Sequence, residues 1–322
     1  MPEPPQPAYF DSAKSVWILS RYADVLAALQ HPHLWPVVEG DRDEVGRLKL
    51  RSDVLARFSQ AQLAEWRPQM EAEAVRILRA LPSGNPVDLF REFALPWGLT
   101  IAMLATGAHP ADREKLGALS TRVFAATGAA EDSPLRADAT SATAELEGLF
   151  RNIPLGEPTF VALSQTTARL LGSCWFALAG HPSEFAKLRA RLDLMPAGVE
   201  EMLRYSGIVR RIYRRATADV DIGGVTIPSG ELAALMLASA NRDPAQFRDP
   251  DRLDVTRPLT SHFSLGYGRN SCMGGNPVRI AMAVATGALV STFSAMELTA
   301  EPEWRTGSGF SFPTSVEVTL LA

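Results

Sequence analysis

The sequence predicts an α+β fold, mostly α, on three observations. Long stretches repeat apolar residues every three or four positions. Stretches that alternate apolar and polar are few and short. One of these, DVDIGGVTIP, turns back on Gly223-Gly224, the signature of a two-residue hairpin.

The elements follow in order. The proline-rich PEPPQP makes residues 1–8 a loose arm. Tyr22 to Leu29 is a short helix halted before His31-Pro32, and Arg47 to Phe58 is helical. In AQLAEWRPQMEAEAVRILRAL, Leu63, Trp66, Met70, Ile77, Leu78 and Leu81 make one apolar stripe, ended by LPSGNP. LPWGLTIAMLATG is a helix stopping at Gly107. Residues 111–151 are amphipathic helices linked near Glu131–Pro134. Thr159 to Ala179 is apolar on nearly every side, which predicts a long buried helix, closed by Gly180-His181-Pro182. Pro196 opens a helix through Tyr205. After the hairpin, ELAALMLAS is a buried strand or a helix start, and NRDPAQFRDPDRLDVTRP is an ordered irregular loop. A helix from about Pro277 to Phe293 and a strand in SVEVTLL complete one domain over residues 1–322.

Composition narrows the function. The 322 residues are 46% hydrophobic, ample for a large core. The most apolar stretch, FVALSQTTARLLGSCWFALAG, is interrupted by Gln165 and Arg169, so it reads as a buried helix and no membrane span is expected. Two cysteines far apart make a poor disulfide framework and point to the reducing cytoplasm. A net charge of −4 with interspersed signs argues against a nucleic-acid partner.

Chemistry concentrates at LGYGRNSCMGG. Cys174, inside the apolar helix, reads as a small buried hydrophobe. Cys272 stands among Gly266, Gly268, Gly274 and Gly275, whose amides are uncovered, just ahead of a helix. A helix N-terminus and amide donors stabilise a thiolate. Zinc would need more ligands than His262 supplies. The Gly-x-Gly-x-x-Gly spacing fails at Ser271. A cysteine nucleophile would need a histidine partner, and none is assignable. An open thiolate as axial ligand to heme iron is the best chemical reading.

At this point the sequence resembles the cytochrome P450 family, in a shortened version of its bacterial soluble type. HFSLGYGRNSCMGGNPVRIAM looks like its heme loop, Glu201-Met202-Leu203-Arg204 like its Glu-x-x-Arg, and NRDP with FRDPDRLDVTRP like the segment before the loop. DVDIGGVTIPSGE and RYADVLAAL match in the right order, so the likeness runs over most of the chain. It implies the P450 fold, with a long central helix over heme b, small sheets and a shortened substrate-covering region. It makes Cys272 the thiolate ligand of the iron, with Gly266 and Gly274 in the loop against the heme. The resemblance also implies that Glu201 and Arg204 pair with Arg252 to lock that loop. Arg51, Arg214 and Arg47 (in place of a histidine) are the propionate partners. Asn270 stands where Arg or His is usual, with Arg269 one place earlier, and Leu265 stands where most relatives carry Phe.

The family's Ala-Gly-x-(Glu/Asp)-Thr-Thr is here ALSQTT. Ala162 and Thr166 match, Leu163 replaces the glycine that makes room for dioxygen, and Gln165 replaces the acid. Glutamine cannot act as a general acid. These four are the candidate catalytic positions. The chain is also short at HLWPVVEGDRDE and between Phe150 and Phe160, both roof regions in the family. The remaining cover, Leu34, Trp35, Val37 and Val38, reads only as apolar. A thin roof suits a large or carrier-bound substrate, or a partner subunit acting as lid. The resemblance implies an oxidoreductase of monooxygenase type acting on a small molecule in secondary metabolism. It would be fed by a ferredoxin and a reductase at a basic face to which Arg269 and Arg279 contribute. ALSQTT keeps two alternatives open: a peroxide-using or redox-neutral heme-thiolate enzyme, and a non-enzymatic recruitment protein.

Overall fold

The computed structural model describes residues 2–37, 44–153, 155–307 and 309–322. The chain opens with β1 (Tyr9–Asp11), β2 (Val16–Leu19), α1 (Tyr22–Gln30) and β3 (Leu34–Pro36). Next come α2 (Glu44–Arg57), α3 (Gln60–Ala80), β4 (Pro86–Asp88), a π turn (Phe90–Ala94), α4 (Leu95–Thr106), α5 (Arg113–Ala125) and α6 (Pro134–Leu149). The central helical run is α7 (Gly156–Val161), a second π turn (Ala162–Thr166) and α8 (Thr167–Ala179). Beyond it lie α9 (Pro182–Ala190), α10 (Met195–Ser206), β5 (Ile212–Ala216), β6 (Val220–Ile222), β7 (Val225–Ile227), β8 (Leu232–Leu235) and α11 (Leu237–Ala240). A long irregular segment leads to α12 (Gly275–Thr292), and β9 (Ala295–Leu298), β10 (Trp304–Gly307), β11 (Phe310–Pro313) and β12 (Glu317–Leu321) finish the chain. The expected α+β, mostly α architecture is present.

The first strands were not legible in the sequence. YFD, VWIL and LWP are too short to show alternation, and they become strands only by pairing with distant segments. The sheet order is β1-β2-β8-β5-β3, with β2 and β8 parallel. ELAALMLAS proves to be both candidates in turn, β8 and then α11. Gly223 and Gly224 take φ of 62° and 84°, which the two-residue turn between β6 and β7 requires. The arm is tied down at one point, where the Gln6 amide donates to Ser20 Oγ at 2.8 Å.

Two packed regions place the site. One gathers Phe93, Trp97, Phe160 and Trp175 around the central run, α10 and α12. There the indole N–H of Trp175 donates to Thr286 Oγ1 at 3.0 Å, joining α8 to α12. The other lies under the five-stranded sheet, where Tyr22 stacks on Phe263 at 4.5 Å. Leu34, expected on the substrate side, faces this second core and is 1% exposed, because β3 pairs with β5 and turns it inward. Val38 lies outside the described residues.

The central run differs from the regular helix expected: it widens into a π turn over ALSQT. The Thr166 hydroxyl donates to the Ala162 carbonyl at 2.5 Å, and α4 packs directly against the turn. Only glycine fits at that crossing, because a Cβ on Gly98 would collide with the Ser164 carbonyl.

Candidate active site

The site is built on the loop between Phe263 and Gly275, and α10 sets its position. Arg204, 3% exposed, donates Nε and Nη2 to the Glu201 carboxylate at 2.7 and 2.9 Å. Its remaining N–H groups reach the carbonyls of Asn241, Pro250 and Arg252. The third ionic member is not Arg252, as the motif implied, but Arg257, whose Nε donates to Glu201 at 3.0 Å. The reason is local. The chain turns at Asp249, with φ 47°, leaving the Arg252 side chain exposed and presenting its carbonyl to Arg204. Arg257, five residues on, then reaches back to the carbonyls of Arg248 and Asp249 and shares that of Arg252 with Arg204.

Two further links were missed from sequence. Asn241 accepts from the Phe263 amide and donates to Ser264 Oγ, which donates to the Leu203 carbonyl at 2.6 Å. Arg279 on α12 clamps both oxygens of Glu200, and His262 Nε2 lies 3.1 Å from the same carboxylate. The only signal for either was that NRDP and HFS flank the loop, which names no partners. Burial raises the Glu200 carboxyl, but the bonds from His262 and Arg279 outweigh it and hold it at about 2. Its folded value therefore lies below the ordinary 4.5, so its stabilising contribution is complete above about pH 4.5 and is lost as the pH falls towards 2. Glu200→Gln is expected to flatten the pH dependence of urea stability across that window. An unchanged slope would show that Glu200 carries no such linkage.

Within the loop, Gly266 and Gly268 take φ of 70° and 66°, and the Cys272 amide donates to the Leu265 carbonyl at 2.7 Å. Leu265 packs, partly buried, against the larger core. Cys272 is exposed as a residue, while its sulfur lies recessed among protein atoms. Burial pushes the thiol up, opposed by the Gly274 amide and the charges of Arg51 and Arg279. Arg51 reaches the loop directly, donating to the Ser271 carbonyl at 2.6 Å and to its hydroxyl at 3.0 Å. Cys174 differs: it is fully buried, its thiol donates to the Met202 carbonyl, and burial, unopposed there, raises its pKa far out of reach.

The other expected cofactor residues are spread more widely. Arg214 is buried on β5 and donates to the Tyr213 carbonyl. Arg269 is directed to the α1–β3 turn, donating to the Pro32 carbonyl and lying 5.9 Å from the Trp35 ring. Asn270 sits in the short 3-10 turn just before Ser271. The Arg47 side chain lies outside the described residues.

Across from the loop, the π turn divides the four ALSQTT positions. Ala162 is exposed and Thr166 half-buried, four apart on the open side. Leu163 is 4% exposed and points at the loop: its Cδ2 lies 3.2 Å from where a Cβ on Gly274 would stand. Gln165 is committed elsewhere. Its amide donates to Ser120 Oγ at 2.9 Å, and its Oε1 accepts from Arg169 at 2.8 Å. Arg169 lies 3.9 Å from the Phe124 ring centroid, and burial lowers it to about 10.

The loop fits the thiolate side of heme in kind. It offers an exposed cysteine whose sulfur has an amide donor and two cationic influences, with Gly274 lying against that sulfur. Cys272 would be the ligand, Gly266 and Gly274 the cradle, and Arg51 and Arg214 the propionate partners. Among the described residues no group of three His, Cys, Asp or Glu side chains could hold a separate metal ion.

Comparison with known proteins agrees with this geometry. The family model for cytochrome P450 matches residues 179–316. Cytochrome P450 107B1 of Saccharopolyspora erythraea is 27% identical over 361 residues, covering 94% of this chain and 89% of its own length. The vitamin D(3) 25-hydroxylase of Pseudonocardia autotrophica is 30% identical over 327 residues, covering 85% and 79%. In structure, the cytochrome P450 enzyme CYP109B1 from Bacillus subtilis superposes with a TM-score of 0.89 at 24% identity, over 97% of this chain and 95% of that one. Fold and site together define a heme-dependent oxidoreductase. The chain belongs to the cytochrome P450 family.

Proposed function

We propose that this chain binds heme b through Cys272 and carries out a monooxygenase-type oxidation of a small or carrier-bound molecule in bacterial secondary metabolism. It would act in the cytoplasm with electrons from a ferredoxin and its reductase. The observation that carries this reading is Cys272, exposed in a glycine loop that faces the ALSQTT segment. When bound, heme supplies the redox chemistry; the chain's own residues position it and the water beside it. Thr166 spends its hydrogen on the Ala162 carbonyl, so its oxygen is left to accept from ordered water. Gln165 is tied to Ser120 and Arg169, which leaves Thr166 as the polar side chain on the open side of the turn. The thin roof expected from the short segments before Arg47 and before Phe160 favours a substrate presented by a carrier protein or covered by a partner subunit.

The second reading, a peroxide-using or redox-neutral enzyme, rests on this missing acid. Dioxygen uptake with NADPH, ferredoxin and ferredoxin reductase separates the two. Uptake above the rate without the protein, lost in Cys272→Ala, is the expected result. No added uptake, with hydrogen peroxide alone supporting guaiacol oxidation, would replace the first reading by the second.

A further inference from the structure

We infer that Leu163 is a gate across the heme slot, a side chain that must turn aside for heme to lie against Cys272. The inference rests on the heme-thiolate reading of Cys272. Leu163 Cδ2 stands 3.2 Å from the position of a Cβ on Gly274. Adding one C–C bond of roughly 1.5 Å puts it within about 5 Å of the Gly274 Cα. A flat macrocycle needs about 7 Å between carbons on its two faces, since each face keeps a contact of roughly 3.5 Å. The ring therefore does not pass between these residues as they stand, although the same Cβ position is only 3.8 Å from the Cys272 sulfur.

The gate opens by the side chain rather than by the helix. Gln165 is pinned to Ser120 on α5 and to Arg169, and α4 is seated against the Ser164 carbonyl at Gly98. Rolling the π turn would break those contacts in a packed layer. Turning Leu163 about its own χ angles gives up the apolar contacts of one side chain and leaves the π turn in place. Glycine at this position would leave the slot open from the start. Once heme is seated, the displaced isobutyl group stays beside Thr166, so it also restricts the size of ligand that can approach the iron from that side.

Hemin uptake by the apoprotein, followed by stopped-flow absorbance, tests the gate directly. Leu163→Ala is expected to take up hemin at least tenfold faster than the wild type, Leu163→Val two- to threefold faster, and Leu163→Phe more slowly. Loaded Leu163→Ala should also bind 4-phenylimidazole at least tenfold more tightly. Circular dichroism of each apoprotein establishes that the comparison is between folded chains, and the valine variant keeps the test valid should the alanine variant unfold. Equal uptake rates across folded variants would overturn the gate and leave the heme-thiolate reading intact. Failure of every variant, wild type included, to bind hemin would overturn both.

Discussion

Glu201→Ala is expected to cost about 3–5 kcal/mol of unfolding free energy, the range for removing one partner of a buried ion pair. Glu201 accepts four hydrogen bonds, two from Arg204, one from Arg257 and one from the Asp254 amide. Its loss leaves Arg204 charged and almost wholly buried. The damage should also reach the site, since Arg204 binds the carbonyls of Asn241, Pro250 and Arg252 and so holds the segment that delivers the cysteine loop. Arg204→Lys is expected to fail almost as badly, because an ammonium cannot span five acceptors arranged for a planar fork. Arg252→Ala, by contrast, keeps the backbone carbonyl that matters and should lie within about 0.5 kcal/mol of wild type, as for most exposed positions. Urea unfolding of these three variants and of Arg257→Ala checks this. A large loss for Arg252→Ala with a small one for Arg257→Ala would reverse the assignment of the third member.

Cys272→Ala is the second large effect. Purified variant protein should lack the thiolate-ligated heme spectrum altogether. Cys174→Ala should retain it, with a stability loss on the order of 1 kcal/mol for the small void and the weak thiol bond. The two cysteines differ in what surrounds them. Cys174 sits inside α8 with its thiol spent on Met202, whereas Cys272 sits exposed among glycines. Equal spectra in wild type and Cys272→Ala would remove the ligand assignment.

Most helices were legible in the sequence because their apolar spacing matches what they bury. Leu63, Trp66, Met70, Ile77 and Leu78 are all buried along α3. The Gly-Gly hairpin was legible because its turn admits few other residues. The edges of the five-stranded sheet were not, since three-residue strands have no period of their own. At the site, Cys272 stood out because glycines on both sides are costly unless something flat must approach. Arg257 did not stand out: its role depends on the turn at Asp249, which redirects Arg252. Nor could spacing show that Gln165 faces α5 while Leu163 faces Gly274. A π turn shifts the angular positions of its residues relative to a regular helix, and a regular period cannot register that shift.

The central claim is that Cys272 carries heme as a thiolate, and the absorption spectrum of the dithionite-reduced protein under carbon monoxide tests it most directly. A strongly red-shifted Soret band, characteristic of a thiolate–iron–carbon monoxide complex and absent in Cys272→Ala, is the result this account predicts. A Soret band at the position of a histidine-ligated heme, or a protein that stays colourless after incubation with hemin, would contradict it.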